Sequence, residues 1–355
     1  GIASAIASVV ETIASAVMQI TGMILKAAGV VSAVIAGLAI AAVKKAADVQ
    51  VAYQELGRIA SLAGQDVMKL RDAIIAVGTA TPGTGSIKDL FELASFGARM
   101  GIGEGLEGSL KVKAIEAFTK SIARVRMALT DMPTEEAATY IVRILRVFGL
   151  GPEYIDNFAS ALVKLDNSST ATGRDILDLT RRLSGVLSTL GAMPSEVMGL
   201  AAAMRDAGVE VEVGGTAMSQ LFIKTAYKTK DYAKALKIPF QELEHAINTK
   251  PIEALKMVLQ AIGKFSPVDQ LRVLSKMQLQ GRQTSSVILQ MANNWQMIDT
   301  FMAEGAEEWK SQNSLIEAAN VRARQFYSIL EQSTNKLTAL AAKVGDMLMP
   351  AAIAL

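Results

Sequence analysis

Side chains suited to catalysis or metal binding are few in this sequence. It contains one histidine, His245, and no cysteine among 355 residues. A zinc site needs further nitrogen or sulfur ligands, and a catalytic serine needs a nucleophile turn such as G-x-S-x-G. Neither accompanies His245, which Glu242 and Glu244 flank on a helical pattern. We therefore expect His245 to be an ordinary, partly exposed helical residue, and the chain to need no metal or other cofactor.

Two pairs of adjacent carboxylates, Glu135 with Glu136 and Glu307 with Glu308, are the next candidates for acid and base chemistry. Side chains at successive positions point to different faces of a helix, so neither pair converges on one substrate atom. Both pairs are expected near helix starts, where the helix dipole favours negative charge. We predict that a solvated helix face or first-turn charge explains both pairs.

A third candidate is the G-x-G-x-x-G pattern formed by Gly103, Gly105 and Gly108. Dinucleotide binding requires this pattern between a strand and a helix, so that pyrophosphate meets the helix N-terminus. The preceding residues, 90–98, have helical character, and Glu104 and Glu107 place negative charge where a phosphate would lie. The pattern therefore predicts a flexible loop. Because the sequence shows no arrangement of residues suited to a nucleophile, a metal ion or a phosphate, we predict that the protein is not an enzyme.

The composition indicates helices packed on helices. Hydrophobic residues make up 51% of the sequence but aromatic residues only 5%, so the apolar content is mainly Ala, Val, Ile, Leu and Met. The 36 basic and 34 acidic residues give a net charge of +2, which creates no strong global field. Basic pairs are scattered without interleaved aromatic residues, so no sequence-specific nucleic-acid recognition is expected. These pairs are Lys44–Lys45, Arg181–Arg182 and Arg322/Arg324.

The clearest local signals predict a helical hairpin between residues 168 and 208. Thr172 and Asp175 have the spacing of a capping box, and Pro194 suits the first turn of a second helix. Gly191 and Gly208 follow the two helices as terminating glycines. Apolar residues spaced by three and four indicate one buried face on the first helix. They are Ile176, Leu179, Leu183, Val186, Leu187 and Leu190.

Prolines and glycines predict further helix boundaries along the chain. After residues 209–213, which alternate briefly with period two, Gly214–Gly215–Thr216 is expected to restart a helix. Further helix starts are predicted at Pro133, Pro152, Pro251 and Pro267, and helix ends at Gly149 and Gly281. The predicted fold is all-α: a multi-helix bundle or array of antiparallel helical hairpins. Its three segments are an apolar N-terminal helical segment (1–46), a helical core (47–310) and a long C-terminal helix (311–355).

The N-terminal segment contains an uncharged run of seventeen residues from Ala27 to Val43. As a helix this run would span roughly 26 Å, slightly less than a typical hydrocarbon core of ~30 Å. Gly29, Ala33 and Gly37 recur every four residues, the small-residue spacing that lets helices approach closely. Two interpretations stay open: a buried helix within an oligomer or hairpin, and a segment that inserts into a membrane.

At the other end, we predict one helix from about Glu317 to Met349, stopped by Pro350. Its apolar positions follow steps of three and four, close to the 3.5-residue period of a coiled-coil seam. The stripe either docks on the hairpin of its own chain or pairs with copies of itself. It comprises Phe326, Leu330, Ser333, Leu337, Leu340, Val344 and Leu348, of which only Ser333 is polar.

Short helical motifs succeed one another along the chain. They are Leu183-Ser184-Gly185, Leu190-Gly191, Leu200-Ala201-Ala202, Ala207-Gly208-Val209, Gly214-Gly215-Thr216-Ala217-Met218, Ala235-Leu236-Lys237-Ile238, Pro251-Ile252-Glu253-Ala254-Leu255 and Gly281-Arg282-Gln283. Their order resembles the core region of tail tape measure proteins of long-tailed bacteriophages. The resemblance extends over roughly residues 47–355 and ends in the long C-terminal helix.

This resemblance implies a structural virion protein that occupies the lumen of the tail tube. Such a protein sets tail length during assembly and leaves when the genome is delivered through the host envelope. The implied partners are tail tube and tail tip proteins, tail assembly chaperones and further copies of the chain, expected as a trimer. The host membrane is a possible contact during infection. Because the chain starts at Gly1, we expect a piece of a longer polypeptide. The alternative function is a helical membrane-active protein that forms pores.

Overall fold

The computed structural model describes residues 49–353, and this part of the chain is helical with no strand. The all-α prediction is therefore confirmed. One short 3-10 helix, Pro152–Tyr154, precedes α6. The α-helices are α1 (49–59), α2 (Gln65–Ala80), α3 (Ile87–Arg99), α4 (Gly108–Ala128), α5 (Thr134–Val147), α6 (Ile155–Ser168), α7 (Gly173–Thr189), α8 (Pro194–Asp206), α9 (Val211–Tyr227), α10 (Thr229–Leu236), α11 (Phe240–Thr249), α12 (Pro251–Gly263), α13 (Pro267–Lys276), α14 (Arg282–Asn293), α15 (Gln296–Ser311), α16 (Asn313–Ala323) and α17 (Phe326–Ile353).

The chain divides into two compact units. Within the described residues, unit 1 combines 49–127 with 319–353, and unit 2 is Ala128–Ala318. Unit 1 thus joins the C-terminal helix to helices from early in the chain, whereas unit 2 is continuous in sequence. The division into segments 1–46, 47–310 and 311–355 stays a prediction.

Most of the expected helix ends are present. Thr172 Oγ1 accepts a hydrogen bond from the Asp175 backbone N–H at the start of α7. Gly191, with φ of 86°, follows α7, and Gly208, with φ of 82°, follows α8. Both glycines therefore take the left-handed conformation that other residues adopt only with strain.

Two boundaries differ from the prediction. Helix α9 begins at Val211, three residues before the Gly214–Gly215 pair, because tertiary packing outweighs a two-period pattern of only five residues. Gly281 does not end a helix: it is the N-cap of α14, with φ of −60°. The left-handed residue after α13 is Gln278, with φ of 58°.

Unit 2 is built around α8, which is buried on every side. The predicted hairpin places α7 against α8, and α6 and α15 pack on α8 as well. A helix buried all round has no polar stripe, and its small side chains let neighbouring backbones approach closely. Its buried residues are Pro194, Ser195, Val197, Met198, Gly199, Leu200, Ala201, Ala202, Ala203 and Met204.

Helices α8 and α15 approach each other closely. A Cβ atom added at Gly199 would lie 2.7 Å from both the backbone N and the Cα of Met302. A Cβ atom at Gly305 would lie 3.1 Å from the Ser195 carbonyl oxygen, so the approach is close from both helices. Backbone atoms cannot rotate away as a side chain can. Glycine at position 199 is therefore required by the packing of the two helices.

We predict that Gly199→Ala lowers the free energy of unfolding by about 1–3 kcal/mol or more, because the new methyl group forces α8 and α15 apart. Denaturant titration followed by circular dichroism measures this change. Gly185→Ala is the matched control, since Gly185 lies within α7 and a Cβ there meets no atom within 4 Å. The control should gain roughly 0.5–1 kcal/mol from helix propensity. Equal effects of the two substitutions would contradict the close-packing argument.

Candidate association surface

The C-terminal stripe lies on a helix that starts later than expected. The predicted helix from Glu317 is divided into α16, which ends at Ala323, and α17, which begins at Phe326. Ser328 Oγ donates to the Arg322 carbonyl at 2.8 Å and so satisfies an end group of α16. Helix α17 also continues past Pro350 to Ile353. Pro350 therefore does not end α17, although it has no backbone N–H to donate.

Within unit 1, α17 packs against α2 through a buried amide. Asn335 is 2% exposed. Its Nδ2 donates to the carbonyl oxygens of Gly78 at 3.0 Å and Gly85 at 2.8 Å, and its Oδ1 accepts from the Ile87 N–H at 3.1 Å. One side chain thus bonds the last turns of α2, the loop after it and the first residue of α3. Three buried backbone groups depend on Asn335.

Neighbouring side chains extend this polar contact. Glu331 Oε2 accepts from the Gly85 N–H at 3.2 Å, and Gln332 Nε2 donates to the Thr79 carbonyl at 2.9 Å. Ser328 and Thr338 are buried, each 5% exposed. The docked face of α17 is therefore mainly polar, and its hydrogen bonds fix both the rotation and the register of the helix. We call this contact the polar latch: Ser328, Glu331, Gln332, Asn335 and Thr338.

The predicted apolar stripe lies on the other side of α17. Successive residues are about 100° apart around a helix, so Leu330, Leu337 and Leu340 lie about 140–220° from Asn335. Leu330 is 47% exposed, and Leu337 and Leu340 are half-buried. The side chains of Phe326, Val344 and Leu348 lie outside the described residues. The docking of α17 thus turns its polar face toward α2 and leaves Leu330 exposed to solvent. Pairing of the stripe with other copies stays a prediction.

His245 and the glycine pattern, two further candidates for chemistry, belong to different elements of the chain. His245 is exposed on α11. Gly103 and Gly105 belong to a turn between α3 and α4, and a helix rather than a strand precedes that turn. Gly29, Ala33 and Gly37, the predicted membrane or packing residues, lie outside the described residues.

Within residues 49–353 no group of three or more His, Asp or Glu residues is placed to hold a metal ion. Among the described helices, none combines the length and apolar character that a membrane span requires.

The two glutamate pairs have different environments. Glu135 and Glu136 lie in the first turn of α5, as predicted. The prediction for Glu307 and Glu308 is wrong, because they lie near the end of α15 and Glu308 is only 8% exposed. The sequence pattern missed this burial because the partners of Glu308 come from other helices.

Glu308 is held by a closed set of hydrogen bonds. It accepts from Ser160 Oγ at 2.8 Å and from the Ser314 N–H at 2.7 Å, and Ser160 Oγ accepts in turn from the Leu315 N–H at 3.1 Å. Burial alone would raise the pKa of Glu308, but the bonds from Ser314 and Ser160 outweigh it and lower that pKa. The carboxylate caps the start of α16. Its role is structural.

A family model for phage-related minor tail proteins matches residues 71–278, more than half of the chain. The chain belongs to this family. Neither a curated protein nor a solved structure matches it. The matched stretch runs from α2 to the turn after α13, so it includes the central hairpin of unit 2. A minor tail protein of a phage is thus identified, and the expected location in the virion tail follows from the family.

We predict that Asn335→Ala lowers the free energy of unfolding by roughly 3 kcal/mol, since three buried backbone groups lose their partner at about 1 kcal/mol or more each. Hydrogen exchange should also become faster at the Ile87 amide, which donates to Asn335. Lys336→Ala, at the adjacent exposed position, is the control and should change neither quantity. A loss below about 0.5 kcal/mol for Asn335→Ala would show that the polar latch does not hold α17.

A second prediction concerns pH. Because the pKa of Glu308 is lower in the folded protein than its usual 4.5, its stabilising contribution is present above the unfolded pKa. That contribution is lost as pH falls through the folded pKa. Glu308→Gln should therefore reduce stability at pH 7 and flatten its dependence on pH below about 5, measured by denaturant midpoints. Glu307→Gln, at the exposed neighbour, should leave the dependence as in the wild type. Equal pH profiles for all three proteins would refute this role.

Proposed function

We propose that this minor tail protein is a segment of a tail tape measure protein, which occupies the lumen of the tail tube and sets tail length. The observation that carries the proposal is the family match over residues 71–278. The ordered motifs that resemble tape measure proteins fall largely within the same residues, and the described chain is helical throughout. Family membership also supports a structural rather than a catalytic role.

The compactness of the two units refines this proposal. A ruler must be extended, and a helix contributes only about 1.5 Å of length per residue. Units that fold back on themselves, as unit 1 does when it joins α17 to α2, contribute little to such a length. We propose that the length-setting helices belong to other parts of the parent protein. The two units would then serve assembly, release and delivery.

We further propose that the apolar stripe of α17 pairs with the same stripe in other copies. The polar latch accounts for the rotation of α17, and it leaves the positions of Leu330, Leu337 and Leu340 on the side away from Asn335. A period near 3.5 residues suits pairing of parallel helices. Three copies around the tail axis are the arrangement that the resemblance implies. Tail tube proteins, tail tip proteins and assembly chaperones are the other proposed partners.

The second candidate is a membrane-active, pore-forming protein. The observation that favours it is the uncharged run from Ala27 to Val43 with its repeated Gly29, Ala33 and Gly37. Within the leading proposal the same run would contact the host membrane during genome delivery. Dye release from liposomes separates the two functions, because a self-sufficient pore former releases dye without other tail proteins.

The leading proposal predicts where the protein is found before and after genome ejection. Quantitative mass spectrometry of purified particles should detect peptides from residues 71–278 in intact tails at a few copies per tail, far below the tube protein. After triggered ejection these peptides should fall by most of their amount, while peptides of the tube protein stay constant as the internal control.

Two outcomes would contradict the proposal. Absence of the peptides from intact tails would exclude a place in the tube. Peptides retained at full level after ejection would exclude release from the lumen and leave a fixed tail component instead.

A further inference from the structure

A cluster of positive charge lies in unit 2 around the turn between α13 and α14. Lys224 Nζ donates to the Gln278 carbonyl, and Lys228 Nζ donates to Gln278 Oε1 at 2.7 Å. Tyr232 OH donates to the adjacent Met277 carbonyl at 2.6 Å. Lys224, Lys228 and Tyr232 are thus spaced by four residues along α9 and α10, and each side chain is hydrogen-bonded to the turn.

More cations flank this turn. Lys276 and Arg282 are exposed and lie within four residues of Gln278 along the chain. We call Lys224, Lys228, Lys276 and Arg282 the basic cluster. These residues are far apart in sequence, and the hydrogen bonds to Gln278 bring the two stretches together.

The positive charge of the basic cluster is not compensated locally. In the described part of the chain none of its members forms an ion pair with a carboxylate, and the two lysines that are bonded have neutral oxygen acceptors. Asp231 is the one acidic residue between 224 and 237, and none occurs from 270 to 298. Each ammonium group has three N–H donors, so Lys224 and Lys228 retain donors for a further acceptor.

The groups beside these cations favour a phosphate backbone over other anions. Gln278, Gln280 and Gln283 are exposed, and glutamine amides commonly bond phosphate oxygens in nucleic-acid complexes. Tyr227 is 87% exposed beside Lys228, where its ring is open to a sugar or a base. A lysine ammonium binds phosphate as a point charge without reading base sequence.

We propose that the basic cluster binds the phosphate backbone of nucleic acid without sequence preference. This inference stands on the surface of unit 2 and does not rest on the tape measure function. It also agrees with the expectation that no sequence-specific recognition occurs, because backbone contacts carry no sequence information.

The test is a salt titration of binding by the full 355-residue chain. A fluorescent 20-base-pair duplex of arbitrary sequence is followed by anisotropy between 50 and 300 mM KCl. Each phosphate contact adds about −0.9 to the slope of log K against log salt, so four cations should give a slope of roughly −3.6. A duplex of unrelated sequence should give the same affinity.

The test variant is K276Q/R282Q, which spares Lys224 and Lys228 because their bonds hold the turn. It should lose on the order of ten-fold or more in affinity at 50 mM salt, with a slope shallower by about 2. The matched control is R99Q/K113Q, which removes the same charge from exposed positions in unit 1 and should bind as the wild type. Circular dichroism confirms that both variants are folded.

Three results would overturn the proposal. They are no salt-dependent binding by the wild type, equal losses in the two variants, and competition by polyglutamate as strong as by unlabelled duplex. The last result would indicate that the basic cluster binds an acidic protein surface instead of nucleic acid. None of these results bears on whether the protein resides in the tail, which the particle measurements decide separately.

Discussion

The burial of α8 is the constraint on which unit 2 depends. A helix buried on every side must pack against other helices on every side. Because the side chains of α8 are small, the backbones of those helices must approach it closely. Gly199 against Met302 is the tightest of these contacts, with 2.7 Å between a Cβ position and the opposing backbone. Since 5% of the residues are aromatic, this core relies on close helix approach rather than on large side chains.

Unit 1 must hold α17, a helix that follows unit 2 in sequence. It does so mainly with polar groups, and Asn335 satisfies three backbone groups that would otherwise be buried without partners. Such a contact specifies one rotation of α17, since any other leaves those groups unpaired. The side of α17 available for association is therefore decided by the polar latch and not by the apolar stripe itself.

Helix content, the central hairpin, the cap at Thr172 and the helix start at Pro267 could be predicted, because they depend on residues close together in sequence. The burial of Glu308, the docking through Asn335 and the basic cluster could not be predicted, because their partners lie on distant helices. One signal was available for the basic cluster: the absence of acidic residues from 270 to 298. The break between α16 and α17 could not be predicted, since residues 322–325 contain no glycine or proline and continue a helical pattern.

The central claim, that α17 is latched to its own unit and pairs with its copies through the opposite face, is tested most directly by disulfide cross-linking in assembled tails. The chain has no cysteine, so a single one at Leu337 or Leu340 reports only on that position. We expect covalent dimers from these two positions, and none from cysteine at the exposed controls Lys336 and Lys343. Monomeric product from every position would contradict self-association of the stripe.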